Sequence, residues 1–219
     1  MSQHTLHRLL WGILLLVLAA VVGTGVWSEL GNGSKREEPG QGVLEGLERF
    51  GTVPDFSLTE RSGRQLSLAE LKGKIWIANF IYTSCKDTCP LQSAEMARLQ
   101  RELAQRENLR LVSISVDPER DNPQILSRYA ERFHTQPGFW LFLTGEGEAI
   151  RRLAQEGFRL SAVPASDAVG KDGPIILHSS RFVLVDGQAR IRGYYDSQDA
   201  EALARLRQDV KKLFRENEA

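Results

Sequence analysis

The sequence predicts an α/β fold, and three observations carry that reading. Strand-like and helix-like stretches alternate through most of the chain, a pattern that pairs strands in parallel. Ile75–Tyr82 is a nearly continuous apolar run, as expected of a strand buried on both faces. Two late strand-like stretches, Ser179–Val185 and Ala189–Tyr195, bracket Asp186-Gly187 and read as an antiparallel hairpin added to the sheet.

The chain of 219 residues suits one domain with appendages, and a body of that size buries a full core without staples. Its 28 basic and 28 acidic residues cancel. No arm or face is strongly basic, which argues against nucleic acid as a partner, since that requires clustered Lys and Arg.

From the N-terminus, a stub of residues 1–8 precedes residues 9–28, which carry no charge and begin Leu9-Leu10-Trp11-Gly12-Ile13-Leu14-Leu15-Leu16. About 20 apolar residues are what a helix needs to cross the hydrocarbon, and Trp11 and Trp27 stand near its ends, where aromatic rings favour the interface. A cleaved signal peptide is the rival reading. Its apolar part is usually about 7–15 residues and ends in a small-residue cleavage site. The run here is longer and no clear site follows, so a single uncleaved transmembrane anchor is expected. The short stub places the body outside the cytoplasm, in an oxidising space that suits a lone cysteine pair. Residues 29–50, with Gly31-Asn32-Gly33-Ser34 and Pro39-Gly40-Gln41-Gly42, read as a polar linker. The globular domain is then residues 51–219.

Within it, Phe56–Leu58 and Gln65–Leu68 flank Arg61-Ser62-Gly63-Arg64 as a small leading hairpin. After the apolar strand come Thr83-Ser84-Cys85-Lys86-Asp87-Thr88-Cys89-Pro90, with Pro90 suited to a first helical turn. Leu91, Met96, Leu99 and Leu103 continue at helical spacing. Leu109–Val116 is the next strand, then a helix over about Gln124–Phe133, a strand at Phe139–Leu143 and a helix over Glu146–Glu156. Ser161–Pro174 is loop-like, and a last helix covers about Ser197–Phe214.

Cys85 and Cys89 are the chain's two cysteines. A disulfide framework would use more, at wider spacings, so the pair is a redox couple, a metal site or both. Cys85 precedes the helix and Cys89 lies about one turn later, so a helix-like turn there sets both thiols on the same side. The partial positive charge of the helix N-terminus favours thiolate, which is both nucleophile and soft metal ligand. A cysteine motif between the first buried strand and its helix is where thioredoxin-like folds place theirs. Of four histidines, His4 and His7 precede the apolar run and His134 reads as a surface residue. His178 lies between the loop and a buried strand. It is either a capping or core histidine satisfied by backbone, or the third member of a Cys₂His set, which suits copper.

Over about Pro54–Lys212 the body resembles the Sco/SenC family of copper-delivery proteins. The resemblance is carried by Ile81-Tyr82-Thr83-Ser84-Cys85-Lys86-Asp87-Thr88-Cys89-Pro90, Val116-Asp117-Pro118-Glu119-Arg120-Asp121-Asn122-Pro123, Trp140-Leu141-Phe142-Leu143-Thr144-Gly145, His178-Ser179 and Asp186-Gly187. It implies a thioredoxin-like fold and one copper ion held by Cys85, Cys89 and His178. It also implies delivery to the copper-bearing subunit of cytochrome c oxidase during assembly, at the bacterial inner membrane with the body on the periplasmic side. A thiol–disulfide role of Cys85 and Cys89 toward client cysteines is the alternative. Two positions depart from the family pattern: Leu177 stands where an Asp usually precedes the histidine, and Lys86 where Pro is frequent. A carboxylate at the first would orient the imidazole, and a lysine at the second favours thiolate.

Overall fold

Period-2 alternation along β4 (Ile75–Ile81) divides the core in two. Ile75, Ile77 and Ile81 enter one apolar layer and Trp76, Ala78 and Phe80 the other, all nearly or fully buried. The computed structural model describes residues 47–160 and 179–218, which lie in one unit, Leu44–Ala219.

The other strands are β1 (Gly51–Thr52), β2 (Ser57–Glu60), β3 (Gln65–Ser67), β5 (Leu109–Ser115), β6 (Trp140–Thr144), β7 (Arg181–Val185) and β8 (Arg190–Asp196). They form one sheet in the order β1-β8-β7-β4-β5-β6-β2-β3. The centre, β4, β5 and β6, is parallel, and the flanking pairs are antiparallel. The helices are α1 (Thr88–Leu103), α2 (Pro123–Glu131), α3 (Gly147–Arg152) and α4 (Ala200–Glu218). Met96, Leu99 and Leu103 of α1, Leu126 of α2 and Leu206, Val210 and Leu213 of α4 share the layer of Ile75 and Ile77. Ile150 of α3 packs in the opposite layer, where Phe158 sets its ring edgewise on Trp76 and Phe80.

The alternating order, the leading hairpin and the late hairpin match the expected mixed α/β sheet. β1 was not foreseen, and α3 runs into a π-helical turn, Leu153–Gly157, rather than continuing regularly to Glu156. The last helix starts later and runs further than expected, over Ala200–Glu218. Residues 47–50, read as the end of a linker, pack on the body: Leu47 against the α1 layer and Phe50 edgewise on Tyr194, 5.6 Å between centroids. Among the described residues no helix is long and apolar enough to cross a membrane. The predicted span, residues 9–28, lies outside them, as do the expected loop Ser161–Pro174 and His178.

Candidate metal and thiol site

The polypeptide leaves β4 at Ile81, turns through residues 82–87 and enters α1 at Thr88, with Pro90 in its first turn. One buried carboxylate fixes the turn. Asp121, fully buried, accepts hydrogen bonds from the Thr83 backbone N–H (2.9 Å), the Thr83 hydroxyl (2.5 Å) and the Ser115 hydroxyl at the end of β5 (2.6 Å). The segment Asp117–Pro123 is thus the strut of the cysteine turn. The Asp121 N–H bonds back to the Asp117 carbonyl, and Asn122 caps α2 through the Ile125 N–H. The sequence showed these residues as a distinctive run but gave no sign that Asp121 reaches Thr83.

Cys85 and Cys89 are free thiols, 9% and 5% exposed; Cys85 lies in the turn that precedes α1 and Cys89 in its first turn. The Cys89 N–H points at the Cys85 sulfur, 3.4 Å away. Burial works against ionising Cys85, but hydrogen bonds from the Cys89 and Asp87 N–H groups, the Cys89 side chain and the Tyr82 hydroxyl hold its thiol below the ordinary value. Burial pushes the Cys89 thiol up to about 12, with the Cys85 and Asp121 charges acting in the same direction. The Tyr82 phenol is raised too, first by burial and then by its hydrogen bond to Cys85. Tyr129 closes the inner side, its hydroxyl 3.3 Å from the Cys89 carbonyl and 2.8 Å from the Ser93 hydroxyl.

Across from Cys89 stands the start of the late hairpin. A cavity of about 220 Å³ is lined by Phe80, Tyr82, Thr88, Cys89, Gln92, Ser179 and Ser180. Gln92 spans it, donating to the Ser179 carbonyl at 2.7 Å. The structure therefore brings Cys89 to the strand start that follows His178 in the sequence, with the Cys85 sulfur beside the Cys89 N–H. His134 is exposed, as expected, at the end of the turn after α2. Among the described residues no group of three His, Cys, Asp or Glu side chains is gathered to hold a metal, so Cys85 and Cys89 stand there as a pair. Two soft sulfurs on one face fit a soft ion that accepts few ligands, and Cu(I) is such an ion.

The SCO1/SenC family model matches residues 45–215. A curated relative, the SCO1 protein homolog of Bacillus subtilis (strain 168), is 32% identical over 161 residues, covering 73% of this chain and 81% of its own. Among solved structures, BsSco aligns with a TM-score of 0.63 and 30% identity over 79% of this chain and 98% of its own. It is described as a Sco-family cytochrome c oxidase assembly protein with a disulfide switch. Bradyrhizobium japonicum ScoI, solved with copper bound, aligns with a TM-score of 0.56 and 27% identity over 73% of this chain and 99% of its own. By sequence and fold together, this chain belongs to the SCO1/SenC family.

Proposed function

We propose that the protein binds one copper ion through Cys85, Cys89 and His178 and delivers it to the copper-bearing subunit of cytochrome c oxidase during assembly. The observation that carries this reading is a buried thiol pair at the start of α1: Cys85 in the turn before it and Cys89 in its first turn, the latter facing the Ser179 end of the late hairpin across one cavity. His178 is bonded directly to Ser179, and consecutive Cα atoms lie about 3.8 Å apart. The family pattern assigns the nitrogen ligand to this position, next in the chain to the residue that faces Cys89. Cys85 supplies a thiolate at low cost, since four hydrogen bonds already favour its charged form. Cys89 gives up its proton to solvent as its sulfur binds the ion, so loading releases acid. Residues 9–28 anchor the chain in the bacterial inner membrane, with the body on the periplasmic side.

The deciding measurement is copper stoichiometry on the full-length protein in detergent with reduced thiols. One ion per chain is expected. Cys85→Ser or Cys89→Ser should abolish tight binding, and His178→Ala should weaken it by more than the roughly 10-fold that loss of an outer partner costs. One-to-one binding at full affinity with both cysteines replaced would end the proposal.

A second reading, thiol–disulfide exchange, is favoured by the opposed behaviour of the two thiols. A Cys85 thiolate attacks a client disulfide, Cys89 then displaces the client sulfur, and the pair gives up two electrons and two protons to leave two client thiols. Both readings use the same sulfurs, so the disulfide form should bind Cu(I) poorly. Equal Cu(I) affinity of oxidised and reduced protein would refute the shared site.

A further inference from the structure

A line of buried side chains crosses the sheet on the α1 face and ends at the wall of the cysteine cavity. The Trp140 indole N–H on β6 donates to the Ser113 hydroxyl on β5 at 2.9 Å. Ser113 donates to Asn79 Oδ1 on β4 at 2.7 Å, and Asn79 Nδ2 donates to Gln92 Oε1 on α1 at 3.2 Å. Gln92 Nε2 then donates to the Ser179 carbonyl at 2.7 Å. Asn79, Ser113 and Trp140 are fully buried and Gln92 is 1% exposed.

Both ends of this line are chemically one-way: an indole N–H can only donate and a backbone carbonyl can only accept. Every link between them is therefore fixed in direction. Ser113 donates onward, both carboxamides have one permitted orientation, and no amide can flip without setting two acceptors or two donors face to face. Aligned hydrogen bonds in a dry interior strengthen one another, and an unpaired member costs its full desolvation. A fully buried Asn and Ser on central strands contribute nothing to apolar packing, so their value lies in what they orient.

We infer that Gln92, oriented by Asn79, Ser113 and Trp140, is a positioning residue for the metal site: it fixes the Ser179 backbone beside Cys89 and so sets where the nitrogen ligand joins the two sulfurs. The inference rests on the copper reading above and adds a residue that touches no metal.

The test uses full-length protein with two variants. Gln92→Met keeps the side-chain length and removes both hydrogen bonds. Ser113→Ala, two links away, removes the group that fixes the Asn79 carboxamide. Three readouts apply: the Ser179 carbonyl ¹³C shift in copper-free protein, nitrogen hyperfine structure in the Cu(II) electron paramagnetic resonance spectrum, and the rate of copper release to a chelator. Gln92→Met should move the carbonyl shift toward its unbonded value, blur the nitrogen coupling and speed release about 10-fold. Ser113→Ala should move all three the same way by less, which a purely local role of Gln92 would not produce. If Gln92→Met does not fold, Ser113→Ala decides alone. Wild-type nitrogen coupling and release rates in a folded variant whose Ser179 shift has moved would overturn the inference while leaving the copper reading intact. Absence of copper binding by the wild type would overturn both.

Discussion

Cys85 lies in the turn before α1 and Cys89 in its first turn, yet the protein treats their protons in opposite ways. Burial raises Cys89 to about 12, whereas donated hydrogen bonds outweigh burial at Cys85 and lower it. Alkylation of the reduced protein should therefore modify Cys85 first, at a pH below that needed by an ordinary thiol, and spare Cys89. Peptide mapping after brief iodoacetamide exposure reads this directly, and preferential labelling of Cys89 would contradict it. The raised thiol also has a thermodynamic sign. Between the ordinary thiol value of 9.0 and about 12, the unfolded chain ionises Cys89 while the folded one keeps its proton. The native state then binds more protons, so stability must fall as pH rises through that window, by up to about 1.4 kcal/mol per pH unit for one full proton. Cys89→Ala should flatten this slope in urea titrations between pH 9 and pH 11, whatever it does to the absolute stability. An unchanged slope would show that other groups carry it.

Elements meet at the site because one strut and one relay hold them there. Asp121 bonds the turn before α1 to the end of β5 with three accepted hydrogen bonds. Asp121→Ala leaves a backbone N–H and two hydroxyls without that acceptor, which should cost about 2–4 kcal/mol and speed amide exchange through residues 83–89. Asn122→Ala removes only a cap, and about 1 kcal/mol is expected. Equal losses for the two, measured by urea unfolding, would remove the strut argument. The strands and helices themselves were legible in the sequence, because β4 and β5 are apolar runs and α1 has 3.6-residue periodicity. The cysteine turn was legible for the same reason, since it lies where periodicity changes from strand to helix. What joins them was not. Asn79, Gln92, Ser113 and Trp140 are far apart along the chain and look like ordinary polar or aromatic residues until the sheet stacks them. β1 is two residues long, too short to show alternation.

At the scale of the whole molecule, one arginine closes the chain on itself. Arg192, 6% exposed on β8, donates to the Leu47 carbonyl (3.2 and 2.9 Å), to Asp186 of the late hairpin (3.1 Å) and to Glu216 of α4 (3.2 Å). Burial opposes the charge on Asp186, but hydrogen bonds from Arg190, Arg192 and Gln188 lower its carboxyl below the usual value. Arg192→Met should destabilise the fold by about 3 kcal/mol, since it withdraws a partner from a carboxylate that stays buried. A loss below about 1 kcal/mol would place the clamp among ordinary surface pairs. The sequence hid this contact for a plain reason: Leu47 and Arg192 lie 145 positions apart, and residues 47–50 look like linker.

The clamp also has a mechanical meaning. β1 is the outermost strand on its side of the sheet, held to β8 at Gly51–Ile191 and Thr52–Arg190. A pull applied from the N-terminal side of the body is felt first at Leu47, then at this two-residue ladder. Load entering there peels a short edge, bond by bond, before it reaches β7 and β4. The thiols stand past the end of β4, beyond two further strand pairings, so load applied at this edge is spent at the rim while the sulfurs keep their spacing.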